Sequence, residues 1–205
     1  MSLIFYYAPM STASTVYWTL EELGVPYELV RVDLRDPADK AKKLGPVNPN
    51  AKVPVLVHDG TVLFESAAIQ AYLGETFGVE RGLYPAPGPA RGEALKWLVW
   101  ANVSLVESMS RWLRHTSERV PAELRNAAAG AEARRDIDTM LGIWEQALAD
   151  RPYILGPSIS IVDLHLASTV GWMAGSGISL AAFPRTGAWL GRCGSRPSAA
   201  KVMGG

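Results

Sequence analysis

Short apolar runs alternate with turn signals over the first 78 positions, and their spacing predicts a mixed α/β unit. Leu3 to Tyr7 reads as a short apolar strand stopped by Ala8-Pro9. Ser14 to Leu23 carries Val16, Leu20 and Leu23 at helical spacing, and Gly24 follows as a stop. Tyr27 to Asp33 alternates apolar residues and predicts a second strand, and the polar stretch 36–44 predicts a short helix. Val53–Val57 and Val62–Phe64 flank Asp59-Gly60, a dipeptide that favours the type I′ turn, so they predict a β-hairpin. Ala67 to Phe77 sets Ile69, Tyr72 and Leu73 on one side of a helix. The order βαβ, hairpin, helix implies a mixed sheet with one parallel pair and one antiparallel hairpin.

The pattern changes after Gly78. The run Gly82-Leu83-Tyr84-Pro85-Ala86-Pro87-Gly88-Pro89 is a linker by its proline and glycine content. Beyond it strand signals nearly vanish, while Arg91–Arg119, Ala131–Ala149, Ile161–Ala174 and Ala188–Gly194 have helical periodicity. The expected division is an α/β domain over 1–78, a linker over 79–90 and an all-α domain over 91–205. Asn126-Ala127-Ala128-Ala129-Gly130-Ala131 reads as a connection between helices, and Ser160-x-x-Asp163 reads as a capping box with a role in folding.

Composition narrows the function classes. With 20 Lys+Arg against 20 Asp+Glu the formal net charge is zero and no basic run appears, so no nucleic-acid partner is expected. No apolar run reaches the roughly 18 residues of a membrane span, and the chain enters a strand pattern at once, so no membrane partner and a cytoplasmic location are expected. The single cysteine, Cys193, excludes an intrachain disulfide and a CxxC pair, and it reads as a small buried hydrophobe. His58 and His165 show no ligand spacing, so no metal site is expected.

The most informative chemistry lies in Asn48-Pro49-Asn50-Ala51-Lys52-Val53-Pro54-Val55-Leu56 and Leu63-Phe64-Glu65-Ser66-Ala67-Ala68-Ile69. Val53-Pro54 can offer an unpaired backbone edge to an extended peptide. Glu65 and Ser66 open a helix, where free amides and the dipole favour a carboxylate. Together these suit a short, anionic, extended peptide. Each also has a plainer reading: a proline at a strand start, and an ordinary helix cap.

These motifs, with Pro9-Met10-Ser11-Thr12-Ala13-Ser14, Glu21-Glu22-Leu23-Gly24-Val25-Pro26-Tyr27-Glu28 and Tyr153-Ile154-Leu155-Gly156 ahead of the capping box, resemble the glutathione S-transferases over nearly the whole length. The resemblance implies a thioredoxin-like N-terminal domain and a helical C-terminal domain. It implies glutathione as co-substrate, with a cis bond before Pro54, the Val53 backbone on the cysteinyl unit, Lys52 on the tripeptide, and Glu65 and Ser66 on the γ-glutamyl group. It also implies a hydroxyl beside the glutathione sulfur at the start of the first helix. The loop selects Ser11 by its serine-type pattern, while counting back from Leu20 selects Thr12. Ser14 is a third choice, and the count used for the serine classes falls on Met10, which cannot donate. A small electrophile would sit between the domains, against Met10, Met109, Arg111, Trp112 and His115, and the family pairs as a homodimer. The expected activity is conjugation of glutathione to that electrophile, with a non-catalytic ligand carrier or scaffold as the alternative.

Overall fold

The computed structural model describes residues 2–203, so the outermost predicted limits, 1 and 205, lie outside the described residues. Four strands form one sheet: β1 (Leu3–Tyr7), β2 (Glu28–Arg31), β3 (Val55–His58) and β4 (Thr61–Phe64), in the order β2-β1-β3-β4. β1 runs parallel to β2, with Phe5 beside Leu29, and antiparallel to β3, with Phe5 beside Leu56. β3 and β4 form the predicted hairpin, and Asp59 and Gly60 take the positive φ values, 46° and 85°, of the expected tight turn. β2 is shorter than its predicted span because it is an edge strand that pairs only along Ile4–Tyr7, after which Val32 adds one last bond to the Tyr7 carbonyl.

Helices α1 (Ala13–Leu23), α2 (Pro37–Leu44) and α3 (Ser66–Leu73) complete the N-terminal half. Gly24 ends α1 at φ 64°, its N–H bonded to the Leu20 carbonyl. Asp36 caps α2 through the Ala38 amide. After α3 the chain widens into a π turn over Gly74–Gly78, where Gly74 meets the Tyr84 ring; a Cβ there would stand 2.5 Å from the ring. The predicted linker is thereby pinned against α3.

The remainder is helical: α4 (Pro89–Trp100), a π segment (Ala101–Val106), α5 (Glu107–Thr116), α6 (Ala127–Ala147), α7 (Ile161–Gly175), α8 (Pro184–Gly194) and α9 (Pro197–Met203). Two expectations need correcting. The run 126–131 is no connection: Asn126 caps α6 by accepting from the Ala129 amide, and alanine is the best helix former, so the run is the first turns of that helix. α8 begins at Pro184, ahead of Ala188, because the Glu145 carboxylate on α6 accepts from the Arg185 and Thr186 amides and the Thr186 hydroxyl. α9 carried no periodic signal. It is held by tertiary contacts: Arg196 pairs with Glu22, and Ser198 donates to Glu22 and accepts from the Trp18 indole.

Both halves pack on α7, which is buried nearly all round and touches α1, α3, α4 and α8. Its capping box does more than close the helix. Asp163 is fully buried; one carboxylate oxygen accepts from the Ser160 amide and hydroxyl, and the other from the Ile154 amide and the Trp189 indole, both at 2.9 Å. Burial pushes the carboxyl above its ordinary pKa, against the pull of these four donors. Replacing Asp163 by Ala strands several buried donors at once, and we expect a loss of about 3–5 kcal/mol. A urea titration checks this, through a lowered midpoint with an unchanged slope.

Candidate functional site

The backbone marks the site before the side chains do. Among the described residues four non-glycine residues take positive φ: Met10, Ala51, Asp59 and Glu65. Asp59 belongs to the hairpin turn. The other three immediately precede Ser11, Lys52 and Ser66, all predicted site residues. Such a conformation costs about 1–3 kcal/mol per residue and is held only where the surroundings impose it. The β3–β4 register, with Val55 opposite Phe64, brings Pro54 alongside Glu65. The Val53-Pro54 bond is cis, and Val53 is nearly buried. Asn48, also buried, braces this loop: its amide group donates to the Lys52 carbonyl and its oxygen accepts from the Asn50 backbone. Lys52 is exposed.

The loop ahead of α1 carries the three candidate hydroxyls, and they have different surroundings. Ser11 Oγ donates to the Ala8 carbonyl at 2.6 Å and accepts from the Ala13 amide, so it serves the loop itself. Ser14 is the second residue of α1 and is half-buried. Thr12 is exposed, at the N-cap position, and its hydroxyl reaches across to the Val53 carbonyl at 3.4 Å. Thr12 is therefore the hydroxyl that meets the peptide edge. Met10 extends into solvent at 91% exposure and lines an open cleft of about 750 Å³, together with Ala8, Pro9, Arg31, Asp33 and Arg35.

Glu65 and Ser66 open α3. Glu65 is exposed, while Ser66 is buried with its Oγ accepting from Asn102 Nδ2 at 2.9 Å. Asn102 lies in the π segment between α4 and α5, and its Oδ1 is 2.9 Å from Nε2 of His165 on α7. The first intrahelical bond of α3 runs from the Ile69 amide to the Glu65 carbonyl, so the amides of Ser66, Ala67 and Ala68 lie ahead of the helical ladder. Asn102 has no reading from the sequence, His165 is read there only as lacking metal-ligand spacing, and Asn48 only as the head of its motif. A polar residue inside the apolar stretch Trp100–Val103 was the one signal for Asn102.

Met10 lines the open cleft, while the other residues predicted for the second substrate lie on α5. Met109 is fully buried. Arg111 is held by Asp136 on α6 at 2.6 Å and by Glu107 at 3.3 Å. Trp112 packs on the core, and His115 Nδ1 accepts from the Asn126 amide. These four lie on α5, which packs along α6. Cys193 is fully buried, and burial pushes its thiol pKa upward. Among the described residues no group of three or more His, Cys, Asp and Glu side chains could hold a metal, and no helix is long and apolar enough to cross a membrane.

A four-stranded mixed sheet with a strained loop at each of three strand or helix ends, joined to a helical half, defines a thioredoxin-like domain coupled to an all-α domain. Comparison with known proteins gives that architecture its family. The model described as glutathione S-transferase, N-terminal domain matches residues 9–76, and that described as glutathione S-transferase, C-terminal domain matches 127–192. The chain belongs to the glutathione S-transferase family. It is 29% identical over 190 residues to the glutathione S-transferase GstB of Escherichia coli K12, covering 92% of this chain and 90% of that one. It is 28% identical over 185 residues to the mouse theta-1 enzyme, covering 86% and 75%. Among solved structures, the ternary complex of the bacterial BphK superposes with a TM-score of 0.84 at 29% identity, covering 98% and 97%. A sphingomonad glutathione S-transferase complexed with glutathione superposes at 0.83 and 28% identity, with the same coverage.

The buried imidazole gives the site a pH signature. Burial lowers the His165 pKa from 6.5 to about 4. Between those values the unfolded chain binds a proton that the folded ring refuses, so stability is complete above pH 6.5 and falls as the pH drops toward 4. The contribution of this one ring reaches about 3 kcal/mol at the acid end. Urea unfolding at pH 7.5, 6 and 5 should show the decline, and His165→Gln should flatten it relative to the parent chain.

Proposed function

We propose that the protein binds glutathione along the Val53-Pro54 edge and joins its sulfur to a small electrophile. The observation that carries this reading is the convergence of three groups on one surface: the Thr12 hydroxyl, the Val53 backbone and the Glu65-Ser66 pair. The residues fit the tripeptide. An exposed carboxylate at Glu65 suits an ammonium group, the start of α3 suits a carboxylate, and Lys52 suits the anionic remainder. Bound glutathione supplies a thiol as nucleophile. The protein's part is to place that sulfur near the loop and to donate a hydrogen bond to its anion. A free thiol has a pKa of about 8.5, and lowering it by about 2 units corresponds to roughly 2.7 kcal/mol of preferential stabilisation of the thiolate.

Of the predicted hydroxyls we favour Thr12, because the Ser11 proton is donated to Ala8 at 2.6 Å, whereas the Thr12 proton is held only weakly by the Val53 carbonyl at 3.4 Å. That engagement also favours a second reading, a glutathione-binding carrier without turnover. The cleft beside Met10 is the better placed of the two regions predicted for the electrophile, since Arg111 already has two carboxylate partners. In this reading the chain divides at 1–78, 79–90 and 91–205 and works in the cytoplasm. A two-fold homodimer completes it. Leu95, Val99 and Val103 recur every four residues along α4 and its π extension and remain exposed, Val103 at 68%.

Thr12→Ala should lower turnover of an aryl halide by about 10–100-fold while leaving the glutathione Kd within about threefold. Ser11→Ala should change turnover less; the reverse ranking would return the role to Ser11. No turnover by the parent chain across an electrophile panel, with glutathione binding intact, would favour the carrier. Val103→Glu should shift sedimentation from dimer to monomer, and a monomeric parent chain would remove the homodimer.

A further inference from the structure

The hydrogen bonds from α7 to the start of α3 have a direction. Asn102 Nδ2 can only donate, so at Ser66 the serine oxygen is the acceptor. Asn102 Oδ1 can only accept, so His165 must present an N–H at Nε2. The remaining ring nitrogen, Nδ1, then carries a lone pair. It is buried with no partner among the described residues, as a nitrogen without a proton would be. Burial keeps this ring neutral at ordinary pH, so the tautomer, and with it the Asn102 amide, has one stable orientation.

The consequence falls on Ser66. A serine hydroxyl accepts and donates, and can present either character to a ligand. Here Asn102 donates to one of its two lone pairs, so the O–H is not spent on Asn102 and stays free for a ligand. Beside it lie the amides of Ser66, Ala67 and Ala68, ahead of the helical ladder of α3. We infer that Asn102, held by His165, is a positioning residue that keeps the Ser66 O–H free to donate to the ligand, and so sets the γ-glutamyl end of the site to prefer a carboxylate over its uncharged amide. This inference rests on the glutathione reading above. It assigns a specificity role to the helical half of the same chain, through a residue that need not touch the ligand.

The test is calorimetric binding with two probes: glutathione, and its analogue with a carboxamide in place of the γ-glutamyl α-carboxylate. The parent chain should prefer glutathione by about 100-fold, the range expected when charge-assisted bonds to a carboxylate are replaced by bonds to a neutral amide. Asn102→Asp puts an acceptor at both ends of the side chain, so Ser66 must turn its proton toward position 102. Glutathione should then weaken by about 30-fold or more, while the carboxamide should bind as well as or better than it does to the parent chain. General damage to the fold would weaken both probes alike. Asn102→Ala, which leaves Ser66 free to donate or accept, should reduce the preference at least about fivefold. An unchanged preference in both variants overturns the inference. Ser66→Ala separates this outcome from failure of the glutathione reading. If the parent chain binds glutathione and Ser66→Ala weakens it, the clamp stands whatever Asn102 does. If the parent chain does not bind glutathione, the clamp itself is wrong.

Discussion

One buried carboxylate, Asp163, holds the parts of this molecule in register. Its four donors come from the loop before α7, from the helix cap and from α8, so the carboxylate fastens the approach to α7 and its first turn to a helix that follows later in the chain. Taking a charge out of water is costly, and only full satisfaction of its lone pairs makes the arrangement tolerable. The return is positional. α7 is fixed at the centre of the molecule, and two residues further on it carries His165, which meets Asn102 and through it Ser66. The folding residue and the site are thus joined by a short path of packed, directional contacts.

Around that path the site is assembled from strained backbone. Met10, Ala51 and Glu65 each hold a positive φ just before a predicted site residue, Ser11, Lys52 and Ser66. The strain is supported locally: Asn48 braces the 48–52 loop, Ser11 closes the turn after Ala8, and the hairpin register holds Pro54 beside Glu65. A peptide bound there would meet preset donors and acceptors, so little ordering would remain at the moment of binding. Ser11 illustrates the division of labour, since its hydroxyl shapes the turn while Thr12 reaches the peptide edge.

Much of the architecture was legible along the chain because its signals are local. The alternation in β1, the Asp59-Gly60 turn, the Gly24 stop and the Ser160–Asp163 box each act within a few residues, and each stands where its pattern put it. The misreadings came where a local preference met a distant partner. The start of α8 is set by Glu145, some forty residues earlier, and α9 is held on α1 by ion pairs spanning nearly the whole chain. The Asn126 run departs from its reading as a connection for the opposite reason: its capping residue and alanine content are themselves a local helix signal.

The same boundary divides the site. Local pattern sufficed for the Val53-Pro54 edge, for Glu65-Ser66 at a helix start and for the hydroxyl-rich loop, because each is a short motif with its own backbone consequence. Only tertiary structure could decide which hydroxyl meets the edge, that Arg111 and His115 are engaged along α6, and that Asn102 and His165 stand behind Ser66. Those outcomes depend on how helices far apart in sequence face one another, and such orientation leaves no mark in the spacing of neighbouring residues.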